Sequence, residues 1–287
     1  MADDKYEYGN PKELDGEESL YFSVPASIIF DDDMGVRRVT VFSFFSEFRG
    51  LTSKMFFSVN DIVKWSGKKP NRNKGKINDQ ILDVVDRLDD NGFVSLSGKP
   101  NGSSTAMATF DVDKIARMCL NESGYAVIYF DELHKILSYE NPNSKDSYLN
   151  CDVVLLVFSY LRMRIFRRRN RIRHGEFVVD EFNRIMIDET IEKRRVDSPE
   201  AYSEYYCIIA EELGLSEKSV SKAVDVLAEL GLICFETLPR KKVDGKWTTQ
   251  PTVFCNAYKR EKSSLLDCGD DYCKREITNK KRKMKIM

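Results

Sequence analysis

Apolar and polar positions follow helical spacing most regularly in residues 198–236. Ser198, Pro199 and the two glutamates nearby are typical of a helix start, with an N-cap, a proline at the first position and acids in the first turn. Apolar residues then recur at helical intervals, at Tyr205, Ile208, Ile209 and Leu213. The pattern predicts a helix over residues 199–213 that Gly214 ends.

A second helix is predicted directly after this turn. Ser216 is placed to cap it, Gly231 is placed to end it, and its apolar stripe contains Val220, Val224 and Leu227. A strand beginning at residues 232–235, a polar loop at 238–251 and a strand at 252–258 then form a β-hairpin. Two helices joined by a short turn and followed by a hairpin are the elements of a winged helix-turn-helix.

The same unit occurs earlier in the chain. Residues 85–94, VDRLDDNGFV, align with residues 224–233, VDVLAELGLI, at a constant offset of 139 residues. Both segments end an amphipathic helix at a glycine and enter an apolar strand, and in the first copy a turn-rich segment leads to a second strand at 106–110. An internal repeat of this kind indicates a tandem architecture.

The turn of the first copy differs from that of the second in length and charge. A short helix is predicted at residues 59–67, and matching its end to Gly214 gives an offset of 147, so the first turn is about eight residues longer. The segment contains six cations and no carboxylate, which favours phosphate contacts over an ordinary solvated loop. These cations are Lys64, Lys68, Lys69, Arg72, Lys74 and Lys76.

Each copy is preceded by a further predicted helix, at residues 36–48 and from Asp152 to about Arg168. The fold class predicted is α+β, mainly helical, with two winged helix-turn-helix domains in tandem. The strand-like segments 125–133 and 175–179 are expected to pack on the second domain. The predicted divisions are an acidic tail at 1–19, winged-helix domains at 20–120 and 121–260, and a charged, basic tail at 261–287.

Net charge does not oppose nucleic-acid binding, because the charges are unevenly distributed. The chain has 45 basic and 46 acidic side chains. Residues 1–19 hold seven acids and two lysines, a balance of −5, whereas residues 274–287 hold seven basic residues and one glutamate, a balance of +6. Surface fields act over a Debye length of about 8 Å, so local charge matters more than the mean.

The segment 161–176, LRMRIFRRRNRIRHGE, holds seven arginines and one acid. It falls at the end of the helix predicted from Asp152, and four of its arginines lie off the apolar face of that helix. Two interpretations remain open: an auxiliary phosphate-contacting patch, or a solvated and partly paired helix end. The four arginines are Arg164, Arg167, Arg168 and Arg169.

Enzymatic and membrane functions are not supported by the sequence. His134 and His174 are the two histidines, and neither lies in a metal-ligand pattern. The seven scattered cysteines indicate reduced cytosolic thiols, and the longest apolar run, residues 153–161, is too short to cross a bilayer. A cytoplasmic protein without enzyme activity, cofactor or metal is therefore expected.

Two winged helices with YAVIYFDELHKIL opening the second resemble the replication initiators and replisome organisers of bacterial plasmids and phages. The segments VFSYLRMRIFRRRNRIRHGE and SPEAYSEYYCIIAEELGLSEKSVSKAVDVLAELGLI are similar to proteins of integrative mobile elements. The resemblance spans most of residues 20–260. It implies that the recognition helix presents Lys218, Ser219 and Lys222, and that the wing presents Arg240, Lys241, Lys242 and Lys246.

The leading functional hypothesis is sequence-specific binding of double-stranded DNA by a replication initiator or replisome organiser of a mobile element. Host replication proteins and a second copy of the chain are further expected partners. A transcriptional regulator would use the same DNA contacts. A protein-interaction scaffold is the alternative from another class, because Asp83, Asp86, Asp89 and Asp90 crowd the first recognition helix.

Overall fold

A computed structural model describes residues 21–49, 53–121, 124–139, 150–165, 200–243, 246–257 and 270–286. Within these ranges the chain is an α+β protein of helices and small antiparallel sheets. Its contacts define two compact units. Of the described residues, the larger unit contains those between 21 and 164 and residues 206–230, and the smaller unit contains residue 165, residues 200–205 and those between 231 and 286. The domain boundary predicted at residue 120 lies inside the larger unit.

The first half of the larger unit is built around one buried helix. Its elements are β1 (Tyr21–Pro25), α1 (Ala26–Ile29), α2 (Arg38–Phe48), β2 (Lys54–Phe57), α3 (Val59–Trp65), α4 (Ile77–Asp90), β3 (Val94–Ser97), β4 (Ala106–Phe110) and α5 (Val112–Asn121). Nearly all of α2 is buried, including Phe42 and Phe45. The Phe42 ring lies 5.5 Å from that of Phe110, and the Phe45 ring lies 5.0 Å from that of Phe57. These contacts pack α2 onto the sheet of β2, β4 and β3.

The larger unit continues with β5 (Tyr125–Tyr129), α6 (Phe130–Leu137) and α7 (Cys151–Arg164). β5 pairs antiparallel with β1, which places Ile128 opposite Phe22. The strand predicted for residues 125–133 is correct only to Tyr129. The chain turns into a helix at Phe130, because Glu132 accepts the Tyr129 N–H at 3.1 Å and so satisfies a donor at the helix start.

Two further helices, α8 (Tyr206–Leu213) and α9 (Glu217–Glu229), complete the larger unit. The apolar stripe predicted for α9 is buried, and Ser216 caps this helix by accepting the Ser219 N–H at 3.1 Å. The helix predicted over residues 199–213 begins only at Tyr206. Residues 201–204 form a strand instead, because they pair with a strand near the C-terminus.

The smaller unit contains that strand, β6 (Ala201–Glu204), with β7 (Ile233–Thr237), β8 (Lys241–Val243), β9 (Lys246–Thr248), β10 (Thr252–Asn256) and α10 (Asp270–Ile286). β10 is the middle strand between β6 and β7, and β8 pairs with β9 in a separate hairpin. Helix α10 packs on the sheet through Cys273 and Ile277, which meet Ala201, Val253 and Cys255. The loop predicted at 238–251 therefore contains a hairpin of its own.

The described elements of the two halves of the chain have a similar order. Helix α2 is followed by β2, α3, α4, β3 and β4. Among the described residues, α7 is followed by β6, α8, α9, β7 and β10, with residues 166–199 outside the description and the β8–β9 hairpin between β7 and β10. In both sheets the last strand lies in the middle, between the first strand and the second. The sequence alignment of residues 85–94 with 224–233 thus matches equivalent helix ends and strand starts.

Candidate nucleic-acid interface

The basic segment between α3 and α4 has a defined conformation. The Asn78 side chain, at the start of α4, accepts the Asn71 N–H at 2.7 Å and donates to Asn60 of α3 at 2.8 Å. Asn78 is 6 % exposed, so these hydrogen bonds are shielded from water. Asn71, in the middle of the segment, is thereby held to α4, and Asn78 in turn joins α4 to α3.

The end of the segment is fixed to the first turn of α4. The Gly75 N–H donates to Asp79 Oδ2 at 2.8 Å, and Gln80 Nε2 donates to the Gly75 carbonyl at 2.9 Å. Gly75 has φ of +72°, a left-handed conformation that favours glycine. The neighbouring lysines Lys74 and Lys76 are therefore presented from an ordered backbone.

Most cations predicted in this segment are exposed. Within the part of the chain that the structure describes, these exposed cations form no ion pair. Such side chains can meet a phosphate without first breaking an internal salt bridge. They are Lys64, Lys69, Arg72, Lys74 and Lys76.

Lys68 has a different position from the other predicted cations. Its ammonium donates to Asp152 Oδ1 at 2.5 Å, and the Lys68 side chain is only 9 % exposed. Asp152 is fully buried at the start of α7, and it also accepts hydrogen bonds from Arg37 and, at 2.9 Å, from Thr40. Lys68 therefore connects the segment to α7. Its ammonium is not among the exposed cations that could bind phosphate.

The loop between β3 and β4 lies against the same region. The carbonyls of Asn101 and Gly102 accept the N–H groups of Val59 and Asn60 at 3.3 and 3.0 Å, at the start of α3. A Cβ added at Gly102 would lie 2.4 Å from Arg72 Nε, so the guanidinium covers this glycine. The loop also carries Lys99, an exposed cation that was not predicted from the sequence. Only the position of Lys99 in this loop relates it to the basic segment.

The exposed face of α4 is acidic. Asp83, Asp86 and Asp90 lie at successive helical turns, and all three are exposed. Partial burial raises the pKa of the Asp86 carboxyl above its ordinary value, and the carboxylates of Asp90 and Asp83 raise this pKa further. Because this face repels phosphate, the cations that precede α4, and not the body of the helix, suit contact with DNA.

Helix α9 differs from α4 at its N-terminal half. Lys218 is exposed and Lys222 is half-buried, whereas its first exposed acid after Glu217 is Asp225. The Ser219 hydroxyl lies 2.8 Å from the Ser216 hydroxyl and belongs to the helix cap. Of the three residues predicted on this helix, the two lysines are available to bind a ligand and Ser219 is engaged in capping.

The described part of the arginine run is paired. Arg164 Nη2 lies 3.1 and 3.2 Å from the two Glu212 carboxylate oxygens, and its guanidinium stacks 5.3 Å from the centre of the Phe30 ring. Arg162 is buried in an ion pair with Glu132. For both arginines, these contacts agree with the interpretation of the run as a partly paired helix end. The predicted Arg167, Arg168 and Arg169 lie outside the described residues.

The wing cations of the smaller unit are exposed where their side chains are described. Arg240 precedes β8, and Lys241 and Lys242 lie within it. Lys246 lies in β9. By contrast, Lys281 of α10 pairs with Glu236 of β7, and burial lowers the pKa of the Lys280 ammonium, an effect that nearby Lys283 increases.

No family model, curated protein or solved structure gives a significant match to this chain. Among the described residues, no group of three or more His, Cys, Asp or Glu side chains is arranged to hold a metal ion. The same part of the chain contains no helix with the length and apolar character needed to cross a bilayer.

Proposed function

We propose that the chain is a sequence-specific double-stranded DNA-binding protein with two winged helix-turn-helix repeats. The observation that carries the proposal is the ordered basic segment before α4, whose exposed cations have no acidic partner in the described chain. Ordering lowers the entropy cost of fixing side chains on a ligand. A row of such cations matches the regular negative charge of a nucleic-acid backbone.

Sequence preference is assigned to α9 in the second repeat. Its N-terminal half presents Lys218 and Lys222, and residues at the start of a second helix reach base edges when such a helix enters the major groove. The acidic face of α4 makes this helix unsuitable for the same role. In this proposal the first repeat supplies mainly phosphate contacts and the second supplies base contacts.

The cellular role proposed is that of a replication initiator or replisome organiser of a mobile genetic element, in the cytoplasm. This part rests on the resemblance of the repeated winged helices and the YAVIYFDELHKIL segment to such proteins. A transcriptional regulator would use the same contacts. Mapping bound sites in the element separates the two roles, because initiator sites lie in an origin and regulator sites lie in a promoter.

A salt titration with a matched control tests DNA binding. The loop variant Lys69→Ala/Lys74→Ala/Lys76→Ala and the control variant Lys54→Ala/Arg117→Ala/Lys135→Ala each remove three exposed cations. Duplex affinity is measured by anisotropy between 50 and 200 mM salt, a range in which several phosphate contacts change affinity by roughly 10³-fold or more. We expect only the loop variant to reduce the slope of log affinity against log salt, by about 0.9 for each phosphate that is no longer neutralised. Equal slopes in both variants contradict the assignment of the loop.

A protein-interaction role is the second candidate, and the acidic α4 face favours it. Asp83, Asp86 and Asp90 would attract a basic protein surface and repel DNA. The same anisotropy assay discriminates between the candidates. A wild-type protein that binds neither random duplexes nor duplexes selected from a random pool at low salt would support the protein-interaction role and exclude the DNA-binding one.

A further inference from the structure

The β8–β9 hairpin of the smaller unit carries an exposed tryptophan. Trp247 is 68 % exposed in β9, directly opposite Lys242 of β8. The chain has two tryptophans, and the other, Trp65, is half-buried, donates from Nε1 to Glu47 at 3.2 Å and lies 5.5 Å from the Phe44 ring. An indole left in water on a narrow ribbon indicates a surface for a ligand.

The hairpin holds the indole in a fixed relation to its cations. Residues directly opposite each other in an antiparallel pair lie on the same face, so Lys242 and Trp247 share one face of the ribbon. Lys241 lies on the opposite face with Thr248, whose hydroxyl donates to the Lys241 carbonyl at 2.9 Å. The ribbon therefore combines one aromatic plane with positive charge on both faces.

The charge around the tryptophan selects an anionic ligand. Residues 238–251 contain four cations and one acid, Asp244, a balance of +3. An apolar protein surface would match the indole alone, and a simple anion would match the cations alone. A nucleic-acid strand with accessible bases matches both, because bases stack on aromatic planes and phosphates pair with lysine and arginine.

Stacking on a base face requires that the base is not already stacked in a duplex. Paired bases present only their edges in the grooves, whereas bases of a single strand present their planes. We propose that the β8–β9 hairpin binds single-stranded DNA, with Trp247 stacked on an unpaired base and Arg240, Lys241 and Lys242 on the flanking phosphates. This inference rests on the proposed DNA-binding function and extends it to a strand that has been opened.

Binding of an opened strand distinguishes a replication initiator from a transcriptional regulator. A regulator bound at a promoter site needs only duplex contacts. A protein acting where replication begins meets duplex and separated strands together. Binding of both forms, by the basic segment with α9 and by the hairpin, favours the replication role.

Tryptophan fluorescence tests the inference. In a Trp65→Phe background, Trp247 is the single tryptophan and reports on the hairpin. We expect a thymidine oligonucleotide of about 20 nucleotides, longer than the roughly 4–16 that a single-strand-binding domain covers, to quench this fluorescence. Blunt duplex DNA and heparin, a polyanion without bases, are expected to quench it much less. Equal quenching by duplex and single strand overturns the proposal. A blue shift of the Trp247 emission with phosphatidylglycerol vesicles, together with no response to the oligonucleotide, also overturns it.

Affinity measured by anisotropy with a labelled oligonucleotide gives a second readout in the wild-type background. We expect Trp247→Ala to weaken single-strand binding by roughly 5- to 150-fold, the range that corresponds to removal of one base–aromatic stack, and Trp247→Phe to retain most of it. The control is Phe56→Ala, since Phe56 is a 76 % exposed aromatic on β2 of the larger unit. Unchanged affinity in Trp247→Ala overturns the hairpin assignment.

The two proposals fail in different ways. Trp247→Ala is expected to leave duplex affinity unchanged, because duplex binding is assigned to the basic segment and α9. We expect Trp247→Ala to lose single-strand binding and to keep duplex binding. If Trp247→Ala still binds single strands, the hairpin assignment is wrong and the proposed duplex binding is unaffected. Absence of duplex binding in the wild-type protein would remove the proposed function itself.

Discussion

Lys68 and Asp152 form a buried ion pair across 84 residues of sequence, with the ammonium 2.5 Å from the carboxylate. The pair joins the basic segment of the first repeat to the first turn of α7. Asp152 also accepts hydrogen bonds from Arg37 and Thr40, so one carboxylate organises three parts of the larger unit. The ion pair with Asp152 explains why Lys68 is buried and structural whereas the neighbouring cations of the basic segment are exposed.

Replacing Asp152 by alanine is expected to destabilise the protein strongly. The change leaves the charges of Lys68 and Arg37 without their buried partner, which costs about 3–5 kcal/mol in the free energy of unfolding. Urea titration measures this difference. The control is Asp33→Ala, which removes an exposed carboxylate 3.7 Å from Arg87 and should cost less than about 1 kcal/mol. Similar losses in both variants contradict the role of Asp152.

Stability and DNA binding should separate at the start of α9. Ser216→Ala removes the side-chain cap and is expected to cost about 1 kcal/mol of stability, with duplex affinity nearly unchanged. Lys218→Ala is expected to do the opposite, because its ammonium is exposed and the proposed function assigns duplex contacts to it. Thermal unfolding and anisotropy on the selected duplex measure the two effects. A loss of duplex affinity in Ser216→Ala equal to that in Lys218→Ala would refute this division.

Cys234 is expected to react as a thiolate at mildly acidic pH. It lies opposite Cys255 in the β7–β10 pair, and the neighbouring side chains of Cys255 and Cys273 lower the pKa of the Cys234 thiol, against the opposing effect of burial. The pKa of Cys255 moves upward. Because a lowered pKa keeps the thiolate present below the ordinary thiol value of about 8.5, alkylation by iodoacetamide should persist at about pH 6.

The matched variant is Cys255→Ala, which removes the side chain with the largest effect on the pKa of Cys234. Its Cys234 should then titrate nearer the ordinary range and be alkylated more slowly at pH 6, where few ordinary thiols are ionised. Peptide mass spectrometry quantifies the modification at this site. If wild-type labelling falls about tenfold for each pH unit below 8, Cys234 is an ordinary thiol.

Arg38 should not be replaceable by lysine. It is 1 % exposed, and its guanidinium donates to the carbonyls of Ile29, at 2.8 and 3.0 Å, and Gly35, at 2.8 Å. Burial lowers the pKa of Arg38 to about 10, partly offset by the carboxylates of Asp31 and Asp32. A lysine lacks the planar set of donors, so Arg38→Lys is expected to cost about 3 kcal/mol. Chemical denaturation checks this, with Arg117→Lys at an exposed site as the control. An Arg38→Lys protein as stable as the control contradicts the role of the planar guanidinium.

The helices that repeat were predictable because their apolar stripes and end signals are local. Val220, Val224 and Leu227 recur at helical spacing between Ser216 and Gly231, and the helix has the expected limits. Strand β6 was not predictable in the same way. Residues 198–200 carry a helix-start signal, but residues 201–204 pair with β10, about fifty residues away, and tertiary pairing overrides local preference.

The candidate site was predictable as a charge pattern but not residue by residue. The absence of acids among residues 64–78 identified the basic segment, which the structure fixes through Asn71 and Asn78. Nothing local distinguishes Lys68 from Lys69, because the partner of Lys68 lies in a distant helix. The β8–β9 hairpin did have a local signal: Asp244-Gly245 between two short β-compatible runs is a common hairpin turn sequence.

The β3–β4 loop has a consequence for how the first repeat would hold an anion. Asn101 and Gly102 accept the N–H groups of Val59 and Asn60, and the N–H of Asp61 donates to the Ser58 carbonyl. The first turn of α3 therefore has no backbone donor left over for a phosphate. An anion at the start of α3 would meet side-chain ammonium groups in place of backbone N–H groups, and an ammonium attracts charge from any direction and distinguishes poorly between one strand geometry and another.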